Sequence, residues 1–232
     1  GRAFETFMGS FFRGNFGQYF TPREIVKFIV DVLPIEHDSK VLDTSCGSGG
    51  FLLYALNKVR NKAAELYPNY LKDIRQHDRW FKYWHDFAEK NLYGIEISEQ
   101  ISRAAKMNMI IHDDGHTNII TNDGLKNNST IEIENRNLNF QDGTFDLIMT
   151  NPPFGSRVEK SLKITEADKF TDEAKIKHYT KRYGEEYTKA LEQVNGNIGE
   201  SVLSLYDSGK LSGLTEVLFI ERCLRLLKPG GR

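Results

Sequence analysis

The sequence predicts an α/β fold with a doubly wound, mostly parallel sheet. Three observations predict it: short apolar strands alternate with helical segments, the first strand ends in a glycine-containing loop, and a helix follows that loop directly. The 232 residues are enough for one sizeable core that carries an insertion. We therefore interpret the chain as one layered domain rather than as several small ones.

The composition is that of an ordinary globular protein. Apolar residues make up 39% of the chain, charged residues make up 27%, and the formal charge is −1, so no overall basic field favours nucleic acid. Since there is no apolar run of about 18 residues and no secretory leader, we expect a cytoplasmic protein without a membrane span. Cys46 and Cys223 lie far apart and outside any metal-binding spacing, which favours structural thiols.

The first predicted element is a helix within GQYFTPREIVKFIVDVLP, residues 17–34. Thr21 is expected to cap this helix, Pro22 to occupy its first turn, and Glu24 to complete a capping box. Apolar residues at helical spacing then predict one stripe, formed by Ile25, Phe28, Ile29, Val32 and Leu33.

Residues 40–59, KVLDTSCGSGGFLLYALNKV, predict the first half of a βαβ unit. An apolar strand closes at Asp43, and a loop containing Gly47, Gly49 and Gly50 leads into a helix. Residues 60–90 are helical in tendency and rich in aromatic side chains. We interpret these side chains as helix packing in preference to a stacking platform for nucleic acid.

Three further strands are predicted, and each ends near a polar residue. They are NLYGIEIS at 91–98 with Glu96, NIITNDGL at 118–125 with Asp123, and FDLIMTNPPF at 145–154 with Asn151. Because ligands of open parallel sheets bind beyond the carboxyl ends of the strands, we expect these residues and Asp43 to share one cleft. HDDGH at 112–116 could hold a metal, but a polar loop is the favoured interpretation.

The predicted core occupies residues 21–154, and two segments follow it. Residues 155–213 are polar and rich in Lys and Glu, and we interpret them as a partly helical insertion. Residues 214–232 contain TEVLFIERCLRLL, which predicts the helix that returns to the sheet. No strand follows that helix, so we expect the sheet to be truncated after its fourth strand and the helix behind it.

Residues 151–154, NPPF, form what we call the hook. Pro152 and Pro153 each fix φ at about −65° and lack an amide donor, and Pro152 also keeps Asn151 extended. The side-chain oxygen of Asn151 and the carbonyl of Pro152 are then two free acceptors beside the ring of Phe154. Such a hook suits a planar group that donates two hydrogen bonds.

In this order, GQYFTPREIV, DTSCGSGGF, NLYGIEIS and TNPPFG resemble the gamma-class DNA methyltransferases that modify the N6 amine of adenine. The resemblance is to the modification subunit of type I restriction-modification systems, although Thr44 stands where that family usually has proline. It implies a Rossmann-like S-adenosylmethionine-dependent methyltransferase fold, with residues 1–20 as the end of an upstream helical region. The implied partners are DNA with a flipped adenine, a specificity subunit and a restriction subunit.

The resemblance also implies roles for individual residues. Glu96 would accept hydrogen bonds from both ribose hydroxyls of the cofactor, and Asp123 would accept one from its adenine amine. The implied cofactor site consists of Thr21, Pro22, Asp43, Gly47, Gly49, Glu96, Ile97 and Asp123. The implied catalytic residues are Asn151, Pro152, Pro153 and Phe154. No metal is implied.

Two alternatives stay open. The same hook could position a base of RNA or a glutamine of a protein, or the chain could be a cofactor-binding scaffold without turnover. The stretch GQYFTPREIV favours DNA, and the intact hook favours catalysis.

Overall fold

The computed structural model describes residues 21–113, 118–126, 140–166, 171, 173–210 and 212–232, so the predicted upstream region 1–20 lies outside it. Within these ranges, four strands form one sheet in the order β3-β2-β1-β4. They are β1 Val41–Asp43, β2 Leu92–Glu96, β3 Asn118–Thr121 and β4 Leu147–Ile148. Every pairing is parallel. The predicted α/β fold with a parallel sheet is therefore confirmed.

Six α-helices accompany the sheet in the described part of the chain. They are α1 Arg23–Val32, α2 Gly50–Leu66, α3 Ile74–Lys90, α4 Glu99–Ile111, α5 Glu173–Gly196 and α6 Thr215–Leu226. A kink at Gly184, where φ is 63°, interrupts α5. Two 3-10 turns, Val202–Leu205 and Ser208–Lys210, precede α6. None of the helices in the described ranges has the length and apolar character needed to span a bilayer.

The buried face of α1 differs from the predicted stripe. Val26 and Val30 are 3% and 1% exposed, whereas Ile25, Phe28 and Val32 lie exposed. Both faces of this helix are apolar, so periodicity alone does not choose between them. Packing against α2 determines which face is buried, because Val26 and Val30 belong to the same buried cluster as the apolar residues of α2.

The predicted capping box of α1 is also wrong. Pro22 occupies the N-cap position, and no side chain caps the first turn. The hydroxyl of Thr21 instead accepts a hydrogen bond from the side chain of Asn151. A tertiary contact has replaced the local one.

The aromatic residues of α3 pack as predicted. Trp84 and Phe87 are 2% and 0% exposed and lie in the cluster that also contains the apolar face of α2. The guanidinium of Arg60 lies 4.0 Å from the centre of the Trp84 ring. Tyr70 stacks on Trp80 with 4.5 Å between ring centres. These rings therefore face other side chains rather than presenting an open platform.

Part of the segment 155–213 folds onto the core. Val202, Leu203 and Tyr206 are buried, and Leu203 and Tyr206 cluster with Leu125 and with Phe219 of α6. The boundaries of the predicted insertion and of the core around it remain predictions.

The residues after α6 run beside β4. Leu227 forms a parallel bridge with Phe145. The amide of Ile148 donates to the carbonyl of Arg232 at 2.8 Å, and the amide of Arg232 donates to the carbonyl of Asp146 at 2.9 Å. The parallel arrangement thus continues beyond β4, on the side opposite β1.

Candidate active site

A cleft of about 420 Å³ opens where β1 and β4 end. Five of the residues predicted from the sequence line it, namely Thr21, Pro22, Asp43, Gly47 and Asn151. The start of α1, the loop after β1 and the hook therefore meet at the carboxyl edge of the sheet, where ligands of such sheets bind.

The loop after β1 turns at two glycines. Gly47 and Gly49 have φ of +53° and +87°, a left-handed conformation that strains other residues. A β-carbon placed on Gly47 would meet nothing within 4 Å, so the backbone faces open space there. The amide of Cys46 donates to the carbonyl of Ile95 at 2.8 Å and fixes the loop on β2. The loop is therefore a rigid backbone cradle with room for a ligand.

Glu96 supports this loop from β2. One carboxylate oxygen accepts from the amide of Gly47 at 3.0 Å, and the other accepts from the amide of Ser98 at 2.8 Å. The side chain is 6% exposed, and burial raises its pKa. A carboxylate has about four acceptor sites, so beside the amides of Gly47, Ser98 and Ile97 it keeps capacity for a ligand hydroxyl. The support of the loop was not predicted from the sequence.

Asp43 is a buried carboxylate at the floor of the cleft, 2% exposed. Burial raises its pKa to about 7, although hydrogen bonds from the amide of Ser45 and the hydroxyl of Thr150 oppose the rise. Among the described residues, no cationic side chain stabilises the ionised form of Asp43. A buried anion in this state favours a positively charged partner, and the ammonium of an amino acid is one.

Two threonines hold the hook. The side-chain amide of Asn151 donates to Oγ1 of Thr21 at 3.0 Å, and the hydroxyl of Thr215 donates to the carbonyl of Pro153 at 2.9 Å. Within the described ranges, no donor meets the side-chain oxygen of Asn151 or the carbonyl of Pro152. The ring of Phe154 is 67% exposed. The hook therefore presents two free acceptors and an accessible ring.

Ile97 and Asp123 stand at the next two strand ends, outside the residues that line the cleft. Ile97 follows β2 and is 68% exposed. Asp123 follows β3, and its carboxylate accepts from the amide of Leu125 at 2.9 Å. A β-carbon on Gly124 would lie 2.6 Å from the carbonyl oxygen of Thr44, so only glycine lets these two loops pass so closely.

Sequence reasoning missed several polar residues at the site, among them Asn108 and Thr150. Asn108 of α4 lines the cleft, is 7% exposed, and donates to the carbonyl of Ser48 at 2.9 Å. The hydroxyl of Thr150 lies 3.0 Å from that of Thr44 and also contacts Asp43. Asn108 could have been found only from its position on the inward face of a helix, because it belongs to no recognisable motif.

Cys46 and His112, the first residue of the HDDGH stretch, also line the cleft. Burial raises the pKa of Cys46 far above its usual value, so its thiol is a poor nucleophile. Among the described side chains, His85, Asp86 and Glu89 of α3 could meet around an ion. Asp86 is already paired with Lys82 and Lys90. Residues 114–116 of the HDDGH stretch lie outside the described residues.

Known proteins are similar to this chain in sequence. The sequence model of the family described as N-6 DNA Methylase matches residues 1–187. The type I restriction enzyme MjaIX methylase subunit of Methanocaldococcus jannaschii is 31% identical over 157 residues, which are 66% of this chain and 22% of that protein. The chain thus spans less than a quarter of the length of this curated relative.

Solved structures show the same fold. A modification subunit assigned to a type I restriction enzyme of Vibrio vulnificus superimposes with a TM-score of 0.60 at 20% identity, over 99% of this chain and 37% of that one. A Listeria monocytogenes protein assigned to the class I S-adenosylmethionine-dependent methyltransferases gives 0.54 at 14% identity, over 99% of this chain and 49% of that one. The predicted Rossmann-like methyltransferase fold is confirmed.

Proposed function

Because the chain belongs to the N-6 DNA methylase family, we propose that it transfers a methyl group from S-adenosylmethionine to the N6 amine of adenine in DNA. The observation that carries the proposal is the hook, whose two free acceptors and exposed ring adjoin a cleft with a buried carboxylate. The name of the Methanocaldococcus relative further supports a role as catalytic part of a type I modification subunit. Its partners would be a specificity subunit and a restriction subunit, in the cytoplasm.

The residues present fit S-adenosylmethionine. The carboxylate of Asp43 suits the ammonium of the methionine part of the cofactor. The open space at Gly47 has room for the carbon chain of that methionine part. No side chain caps the first turn of α1, and the positive end of the helix dipole there favours a carboxylate. Glu96 would accept from the ribose hydroxyls, while Ile97 and Asp123 would contact the adenine. When bound, this cofactor supplies a methyl group on a positively charged sulfur.

The hook acts on the amine by positioning it. An adenine amine has two N–H donors on a planar ring, and its lone pair is delocalised into that ring. If Asn151 and the Pro152 carbonyl accept both hydrogens, the nitrogen is biased toward a pyramidal geometry with its lone pair facing the methyl. Neither acceptor titrates near neutral pH, so the catalytic device is orientation, and the proton leaves to water after the transfer.

The target adenine has to leave the duplex to reach the hook. Flipping costs a few kcal/mol, and stacking on Phe154 would return about 1–3 kcal/mol. These terms nearly cancel, so the affinity for DNA must come from contacts with phosphates.

Calorimetric titration of the full-length protein with S-adenosylmethionine tests the cofactor site. We expect micromolar affinity for the wild type and at least tenfold weaker binding for Glu96→Ala, because this change removes the ribose acceptor and releases the amide of Gly47. The matched control is Glu65→Ala, which alters an exposed carboxylate of α2 outside the cleft. Equal affinities for Glu96→Ala and the wild type would contradict the assigned site.

The chemical product tests the substrate. After incubation with the assembled complex, nucleosides from digested DNA should contain N6-methyladenine when analysed by mass spectrometry. Methyl groups found only on RNA or on protein glutamine would refute the DNA assignment, and tight cofactor binding without any transfer would indicate a scaffold.

We expect Thr215→Val to lower kcat about tenfold while leaving KM for S-adenosylmethionine unchanged. Valine has nearly the shape of threonine but cannot donate to the carbonyl of Pro153, so the hook loses one of its two anchors. Small displacements of positioned groups cost up to about 10²-fold in rate. Thr215→Ser keeps the hydroxyl and should retain most of kcat. Equal losses in both variants would mean that Thr215 serves packing rather than positioning.

A further inference from the structure

We propose that Arg157, Lys160 and Lys163 form a phosphate strip, a binding site for the backbone of the DNA strand that carries the target adenine. This assignment depends on the proposed function and adds to it a site outside the cleft. The three cations follow the hook directly along the chain.

The backbone that carries the phosphate strip is fixed. The amide of Val158 donates to the carbonyl of Gly213 at 2.8 Å, and the amide of Ile164 donates to that of Glu200 at 2.9 Å. Ile164 is 4% exposed, and Val158 is partly buried in the cluster beside α6. With these apolar side chains turned inward, the cations of the strip lie on the solvent side at defined positions.

The charges of the strip are available to a ligand. Arg157, Lys160 and Lys163 are all exposed, and none forms an ion pair with any part of the chain that the structure describes. The nearest acid in sequence, Glu159, accepts from the hydroxyl of Ser161 at 2.9 Å. Unpaired cations occur elsewhere on the surface too, so position is what distinguishes these three.

That position matches the path of the substrate. Arg157 is three residues from Phe154, so at about 3.3 Å per extended residue its Cα lies within about 10 Å of that of Phe154. A nucleotide whose base stacks on Phe154 stays joined to the phosphates on either side of it. Those phosphates are therefore expected near Arg157, at the start of the strip, while a chain with a formal charge of −1 offers no general attraction.

Salt-dependent DNA binding by the full-length methyltransferase complex tests the strip. The strip variant combines Arg157→Gln, Lys160→Gln and Lys163→Gln. The control combines Lys72→Gln, Arg75→Gln and Arg79→Gln, which are also exposed and form no ion pair within the described ranges. They lie in α3 or just before it, remote in sequence from the hook. Both variants remove the same formal charge, so a general charge effect would move them together.

We expect the strip variant to bind duplex DNA at least tenfold more weakly at low salt. The slope of log K against log salt should fall by about 2–3, at about 0.9 for each phosphate that the strip no longer neutralises. The control variant should match the wild type, and the affinity of both for S-adenosylmethionine should be unchanged. A strip variant with the wild-type slope, beside a wild type that methylates adenine, would overturn the strip alone. A wild type that neither binds nor methylates DNA would overturn the proposed function and the strip together.

Discussion

Asn151→Ala is expected to slow methyl transfer by about 10²–10³-fold, while the affinity for S-adenosylmethionine stays within about threefold of the wild type. The side-chain oxygen of Asn151 is one of the two acceptors proposed for the target amine, and alanine supplies none. Removing one preorganised hydrogen-bonding group from a reacting centre costs this much in enzymes that use such groups. The measurement is single-turnover transfer of a labelled methyl group to DNA.

Two further variants make this result interpretable. Asn61→Ala removes an exposed asparagine of α2 and should behave as wild type. Thr21→Val keeps the acceptor of Asn151 but removes the hydroxyl that orients it, so an intermediate loss of rate is expected. Full activity of Asn151→Ala would show that the hook does not hold the amine.

The features that the sequence predicts well are those with local causes. Two consecutive prolines stiffen residues 151–154 in any surroundings, and Gly47 and Gly49 can adopt the left-handed conformation that the loop requires. The strand ends follow from short apolar runs, because a parallel sheet places all its carboxyl ends at one edge. Asp43, Glu96, Asp123 and Asn151 can therefore be assigned to that edge from the sequence alone.

The features that escaped prediction depend on partners distant in the chain. The hydroxyl of Thr21 is 130 residues from Asn151, that of Thr215 is 62 residues from Pro153, and Gly47 is 49 residues from Glu96. No local pattern contains these pairs. The capping box of α1 was wrong for this reason: a local hydrogen bond competes with a tertiary one, and only the fold shows which is made.

Asp43→Asn is expected to stabilise the ligand-free protein at pH 8 and to abolish its affinity for S-adenosylmethionine. The pKa of Asp43 is about 7 in the folded protein, above its usual value of 3.8, because burial disfavours the anion. Between these two pH values the native state holds a proton that the unfolded state has lost. The stability of the wild type therefore falls as the pH rises through this window and stays low above about 7.

Asparagine at this position is neutral at every pH, so the pH-dependent loss disappears. The melting temperatures of Asp43→Asn and the wild type should be similar at pH 4 and differ by about 5–10 °C at pH 8, which corresponds to a few kcal/mol. Asp78→Asn, an exposed control on α3, should follow the wild type at both pH values. Equal melting curves of Asp43→Asn and the wild type at pH 8 would contradict a buried charge at Asp43.

The same substitution separates stability from function. In the wild type, cofactor affinity should increase as the pH rises through 7, because only the ionised carboxylate attracts the ammonium. Asp43→Asn should show weak binding at every pH despite its greater stability. Calorimetric titration at pH 6 and pH 8 distinguishes the two effects. If Asp43→Asn were more stable than the wild type and bound S-adenosylmethionine equally tightly, the ammonium would have to bind elsewhere. The expected result would mean that the charge of Asp43 lowers the stability of the free protein and serves to bind the cofactor.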